Sequence, residues 1–231
     1  GTSVGYNFYD LNAKINHIIS PKDRLYLSFY SGGDKILTRQ KTQSDLNKMT
    51  LEWGNILGSF RWNHLYSDRL FSNLTLYSTR YRLANDYTYT FTRNNLKEKT
   101  SLGYWSGIVD LSIKADFDYY INQNYKMKYG GTAIFHHFNP NTTSYKSFEN
   151  SAAVDTSFGS IKQNGFEHAV YLENEISIGS RLFSNFGLRV TNYQTPNRNY
   201  ASIEPRFLTT FLIGENTLLK ASYSQLNQYI H

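Results

Sequence analysis

Apolar and polar side chains alternate along most of this chain, in runs separated by clusters of turn-forming residues. The alternation is clearest between positions 109 and 117. Val109, Leu111, Ile113, Ala115 and Phe117 share one parity, while Asp110, Ser112, Lys114 and Asp116 share the other. A period of two sends these sets to opposite faces of a sheet. The same split recurs where Leu11, Ala13 and Ile15 oppose Asn12, Lys14 and Asn16. It recurs again where Val170, Leu172, Ile176 and Ile178 oppose Tyr171, Glu173, Glu175 and Ser177. Phe186, Leu188 and Val190 oppose Asn185, Arg189 and Thr191 in the same way. The pattern predicts ten strands, over about 5–18, 24–36, 53–65, 69–83, 104–119, 125–138, 166–178, 182–194, 200–213 and 217–228.

Alternation alone leaves open which face points inward. A small soluble barrel places its apolar face inside, whereas a large membrane barrel places it outside. Strand length favours the second case. Soluble strands average about 5–6 residues, while a tilted spanning strand needs about 9–11 within hydrocarbon. Connections point the same way. Tight turns fall at Ser20–Asp23, Tyr66–Arg69, Ile121–Asn124, Gly179–Arg181 and Gly214–Asn216. Alternating with them are long connections expected near 37–52, 84–103 and 139–165, and a shorter one near 195–199. Outer-membrane barrels keep short turns at the periplasmic end and long loops outside. The first strand then runs down from the outside and the tenth ends there too, so the chain reads as an interior run of strands from a larger barrel.

Composition changes this picture little. The chain has 231 residues and no cysteine, which excludes a disulfide scaffold and a thiolate metal site. Aromatics make up 16%, led by 20 Tyr, and amphipathic rings suit the rims of a membrane barrel. A mean hydropathy of −0.53 does not argue against a membrane, because only alternate strand residues meet lipid. No stretch is long and apolar enough for a spanning helix, and the opening Gly1-Thr2-Ser3-Val4 lacks a signal-peptide pattern. The net charge of +6 is scattered, without a basic run or a nucleic-acid motif, so no nucleic-acid partner is expected.

The closing segment carries a more specific signal. Glu204-Pro205-Arg206-Phe207, Gly214-Glu215-Asn216-Thr217 and the run from Leu219 through Lys220-Ala221-Ser222-Tyr223-Ser224 to Gln228-Tyr229-Ile230-His231 resemble the barrel of TonB-dependent outer-membrane receptors. The resemblance is strongest to those of Bacteroidetes-type bacteria. Segments 65–73 and 179–182 look like periplasmic turns of the same family. The resemblance implies an all-β, antiparallel up-and-down transmembrane barrel of about 22 strands with a plugged lumen, of which residues 1–231 supply about ten. It further implies uptake of a scarce ligand such as a siderophore, a glycan or cobalamin across the outer membrane of a Gram-negative bacterium. The partners implied are outer-membrane lipid, the protein's own plug domain and the TonB complex. The plug and the TonB box are absent from these residues, and a surface lipoprotein lid is left open. The chain is expected to be no enzyme and to need no cofactor.

Candidate chemistry is sparse. The residues expected on the lumen wall are Asp110, Lys114, Asp116, Glu173, Glu175, Arg189 and Arg206. Asp110, Lys114 and Asp116 read as a mixed-charge ladder, and the two arginines as plug contacts or structural pairs. His136 and His137 are adjacent in a strand, so they face opposite ways and cannot hold one metal together. No nucleophile elbow, zinc motif or phosphate loop is present, and neither catalytic nor metal residues are expected. Asn139, Pro140, Tyr145, Phe148 and Phe158, together with Tyr87, Tyr89 and Phe91, are expected in loops that choose the ligand. Two other readings stay open at this point: a stand-alone outer-membrane barrel acting as an enzyme or adhesin, and a soluble β-sandwich binding module.

Overall fold

The computed structural model describes residues 1–93, 96–149, 152–159 and 162–229. They form β1 (Thr2–Ile18), β2 (Asp23–Lys41), β3 (Asp45–Ser67), β4 (Leu70–Arg93), β5 (Leu96–Asn122), β6 (Tyr125–Glu149), β7 (Ala152–Gly159), β8 (Gln163–Ile178), β9 (Leu182–Gln194), β10 (Asn199–Gly214) and β11 (Thr217–Ser224). All eleven lie in one antiparallel sheet of order β1-β2-β3-β4-β5-β6-β8-β9-β10-β11, with β7 paired to β6. The sheet is open, since β1 and β11 end the path without pairing each other.

Local chemistry explains where the strands reverse. At the first turn the Ser20 hydroxyl donates to Asp23 Oδ2 at 2.7 Å and accepts from the Lys22 amide at 3.1 Å. The Asn124 amide donates to Asn122 Oδ1 at 2.8 Å, an Asx turn, and Gly179 supplies a φ of 59°. These turns all lie at one end of the sheet, as the sequence predicts.

The opposite end differs from the expectation. The stretches 37–52, 84–103 and 139–165 are largely strand rather than loop. β2 pairs β3 out to Lys41↔Leu46, and β4 pairs β5 from Leu70↔Tyr119 to Arg93↔Leu96. β4 alone has 24 residues, about 80 Å of strand at roughly 3.3 Å per residue. That is more than twice the length needed within hydrocarbon. Above the apolar stripe both faces become polar, which removes the one-sided signal while the Thr- and Tyr-rich backbone stays paired. β7 is a further strand inside the expected 139–165 connection. It joins β6 after a register shift, where β6 advances from Asn139 to Thr142 while β5 advances only from Trp105 to Gly107.

The last expected strand, 217–228, stops at Ser224. Pro205 supplies the reason. Its carbonyl accepts from the Gln225 amide at 3.1 Å, so that side of residue 205 faces β11, and proline has no N–H to return. The tail then folds onto the sheet. The Asn227 amide donates to Glu204 Oε1 at 3.4 Å, and Tyr229 Oη lies 2.8 Å from Thr191 Oγ1. Ile230 and His231, which close the segment resembling the receptor family, lie outside the described residues.

Burial is inverted relative to a water-soluble domain. The described buried set holds four apolar or aromatic residues, Ala84, Phe138, Ala169 and Tyr193, against eight polar ones including Ser112, His136, Thr191 and Glu204. Leu111 is 63% exposed and Val170 63%, on the parity the sequence marks as apolar. The sheet thus has one polar, packed face and one apolar, uncovered face. Near the tight turns the apolar face ends in an aromatic rim of Trp62, His64 and Tyr66. There the Trp62 indole donates to Asp23 Oδ1 at 3.0 Å, and His64 Nδ1 lies 2.6 Å from the same oxygen. His64 first, then Ser20 and Trp62, hold the Asp23 carboxyl at about 2, below its ordinary 3.8.

Candidate functional site

The seven residues expected on the lumen wall lie on a single face. Registers join β5, β6, β8, β9 and β10 into rows across the sheet. One row runs Asp118, Lys128, Glu173, Gly187, Arg206, and the next runs Asp116, Gly130, Tyr171, Arg189, Glu204. Both mix acids and bases, so each charge finds an opposite one beside it or one row away. Lys126 Nζ lies 2.6 Å from Asp118 Oδ1, and Lys114 Nζ 3.0 Å from Asp116 Oδ2. Lys128 pairs with Glu175. Arg206 lies 3.8 Å from both Glu173 and Glu204, and Arg189 3.8 Å from Glu167. The Asp110–Lys114–Asp116 ladder is thus divided: Lys114 takes Asp116, while Asp110 accepts a contact from His136 Nδ1 at 2.8 Å. His137 points the other way, to Asn164 Oδ1 at 2.8 Å.

Tyr171 ties three strands together. Its hydroxyl donates to Asp116 Oδ1 at 2.6 Å, reaching from β8 across β6 to β5. Gly130, the β6 member of that row, makes this crossing feasible. A Cβ built there would meet the Ala115 carbonyl at 2.3 Å and the Tyr171 ring at 2.9 Å. Lys114, Tyr171, Glu173, Arg189 and Arg206 line a hollow of about 290 Å³ on this face. Glu204 is 1% exposed, with Oε1 accepting from Ser202 and the Asn227 amide and Oε2 facing Arg206. This part of the face is a charge-balanced wall. Among the described residues no cluster of three or more His, Cys, Asp or Glu side chains could hold a metal ion.

Farther from the tight turns the same face turns aromatic. Tyr193 and Tyr200 are paired across β9 and β10, and Tyr229 stacks on Tyr193 with ring centroids 5.1 Å apart. His136 and Phe138 adjoin them, at 6.1 Å from Tyr193 and 5.6 Å from each other respectively. Phe138, Tyr193, Tyr200 and Tyr229, with Tyr81, Ile108 and Pro140, border a cavity of about 670 Å³. A cavity with rings on one side and amides from Asn139, Gln163 and Gln228 on another is suited to an organic ligand with polar groups. Sequence reading passed over Tyr193, Tyr200 and Tyr229. Tyr193 shares parity with Arg189 and Thr191, and that was the available signal. The tail that brings Tyr229 back had none.

The aromatic residues expected in loops are instead on the strands. Tyr89 and Phe91 stack at 6.4 Å on β4, and the Tyr87 and Tyr89 hydroxyls donate to Asn47 and Asp45 at 3.0 and 3.1 Å. Asn139 and Pro140 line the aromatic cavity. Tyr145, Phe148 and Phe158 lie on the β6–β7 hairpin, away from it.

The family model described as TonB dependent receptor-like, beta-barrel, matches residues 1–227. No curated protein matches the chain. Among solved structures, the siderophore receptor PiuA from Acinetobacter baumannii aligns at a TM-score of 0.58 and 13% identity, over 96% of this chain and 42% of that one. The RagAB peptide transporter aligns at 0.57 and 10%, over 89% and 30%. FpvA of P. aeruginosa, bound to a heterologous pyoverdine and iron, aligns at 0.53 and 7%, over 96% and 40%. The chain therefore spans less than half the length of each of these proteins, and at these identities the likeness is one of fold.

Proposed function

From the premise that this chain belongs to the TonB-dependent receptor β-barrel family, we propose that it forms part of the wall of a transporter importing a scarce ligand. The family consists of Gram-negative outer-membrane receptors and transporters rather than enzymes. In this reading the apolar face meets lipid and the polar face lines the lumen. The tight-turn end is periplasmic and the long hairpins β2–β3, β4–β5 and β6–β7 project outside. The charge-balanced wall around Tyr171 and Arg206 seats a plug domain, since paired charges present hydrogen-bonding groups without a net field. The aromatic cavity above it receives the ligand on its way in. A TonB complex supplies the energy, and a surface lipoprotein is a further candidate partner.

The single observation that carries this reading is the position of the aromatic cavity. It lies on the polar face, farther from the tight turns than the ion-paired wall, where an incoming ligand would meet it first. Its rings suit the flat, partly polar surfaces of a siderophore, a glycan or a cobalamin-type ligand.

The test is uptake by cells carrying the protein in the outer membrane, supplied separately with labelled ferric siderophores, cobalamin and oligosaccharides. One class should be taken up in a saturable manner that stops when the proton-motive force is collapsed. Tyr193→Ala with Tyr200→Ala should lower that uptake about tenfold or more through lost stacking. Uptake that survives collapse of the force, or that ignores both substitutions, would sink the proposal.

A further inference from the structure

The apolar face carries a furrow that the transport reading does not use. Registers place Tyr9, Gly33, Gly54, Arg82 and Gly107 in one row across β1 to β5. Three of the five residues have no side chain, so the row is a trough. It is about 540 Å³ in volume, with Arg80 and Ile56 on the side nearer the tight turns and Lys35 and Glu52 on the other. The floor has no room to be filled. A Cβ at Gly54 would meet the Gly32 carbonyl at 2.8 Å, and one at Gly33 would meet the Tyr9 ring at 2.8 Å.

The furrow sits where the apolar stripe ends. From the aromatic rim to the Arg80 row, the apolar-face positions of β2 to β5 are residues such as Leu27, Phe60, Leu76 and Ile113, with no Lys, Arg, Asp or Glu among them. Arg80 and Arg82 are the first charges met. Lys35 is neutralised by Glu52. The Arg82 guanidinium lies 5.6 Å from the Trp105 ring, and neither arginine has an acidic partner among the described residues. An arginine on the lipid face costs about 2–4 kcal/mol at the bilayer midplane and about 0–1 near an interface. Two of them above a largely apolar stripe without charged residues therefore mark the interface, and each leaves a planar fork of donors without an anion.

We propose that this furrow binds the phosphate of an outer-leaflet glycolipid headgroup, with Arg80 and Arg82 as its donors and the glycine row as its seat. The inference rests on the membrane orientation given above, in which this end of the stripe is the outer one. A lipid, rather than free phosphate, is favoured because Ile56, Leu27 and Leu76 continue directly below as exposed apolar surface for acyl chains. The two positive charges complement a phosphate, and the trough admits it close to the backbone.

The experiment uses the protein extracted from outer membranes in mild detergent and stripped of lipid, with native mass spectrometry as the readout. The probes are lipid A, its dephosphorylated form, and inorganic phosphate. The wild type should retain lipid A about tenfold more tightly than the dephosphorylated lipid. Excess inorganic phosphate should not displace it. Arg80→Gln with Arg82→Gln should remove the preference, while Arg61→Gln on the opposite face leaves it intact. Equal retention of the two lipids by the wild type overturns the proposal, and this arm needs no variant to fold. Displacement by equimolar phosphate overturns the lipid assignment. A preference surviving in the double variant, shown folded by its heat-modifiable gel mobility, assigns the binding elsewhere. Reversed membrane orientation is a separate failure, seen as protease cleavage of the β4–β5 hairpin from the periplasmic side only.

Discussion

Single residues show how a polar wall keeps its geometry. Tyr171 holds Asp116 across an intervening strand because Gly130 leaves its ring somewhere to lie. Tyr171→Phe should therefore destabilise the membrane-embedded protein by about 1 kcal/mol, the net worth of one partly exposed hydrogen bond. Gly130→Val should cost more, since it displaces the ring and strikes the Ala115 carbonyl. Denaturant midpoints in lipid vesicles check both, and an unchanged Gly130→Val midpoint would contradict the packing described. Asp23 makes a different prediction. Its folded value is depressed from 3.8 to about 2, so its contribution is complete above pH ~4 and lost as pH falls through about 2. Asp23→Asn should flatten the acid dependence of stability in that window, with little effect at neutral pH beyond the lost contacts to Trp62, His64 and Ser20. Parity in the sequence placed all seven charged candidates on one face, because period two is a local property. It could not name their partners. Arg206 meeting Glu173, two strands away, depends on register, which no local pattern encodes.

At the scale of the strand, the ten apolar stripes were legible and the hairpin extensions were not. Alternation reports a difference between two environments. Where both faces of a strand meet water, as along 38–41, 45–49, 85–92 and 98–104, the difference vanishes although the ladder continues. Hydrogen exchange separates the two pictures. The interstrand-bonded amides of 37–41, 45–52 and 85–92 should be protected well beyond the rates of free loops, and fast exchange throughout these segments would restore the loop reading. β11 teaches the converse lesson. The strand expected over 217–228 stops at Ser224, because Pro205 on the neighbouring strand withholds the donor needed to continue pairing. The freed tail places Tyr229 against Tyr193 and Tyr200, so Tyr229→Ala should enlarge the aromatic cavity and weaken ligand capture without moving the sheet.

For the molecule as a whole, the inverted burial is the physical fact that connects sequence, membrane and function. Leaving glycines aside, eight of the twelve described buried residues are polar, while large apolar residues from every strand stay uncovered. In water this would be a defect, and in a bilayer it is the expected arrangement. The open edges of β1 and β11 carry the same message, since unpaired backbone cannot rest in hydrocarbon and must be completed by further strands. The most direct test follows the alternation along β5. The chain has no cysteine, so single cysteines at 109 to 116 can each carry a spin label in the membrane-embedded protein. Collision rates with oxygen, which concentrates in lipid, should peak at 109, 111, 113 and 115. Collisions with a water-soluble nickel chelate should be highest at 110, 112, 114 and 116. The reverse phase, or no alternation at all, would contradict the account.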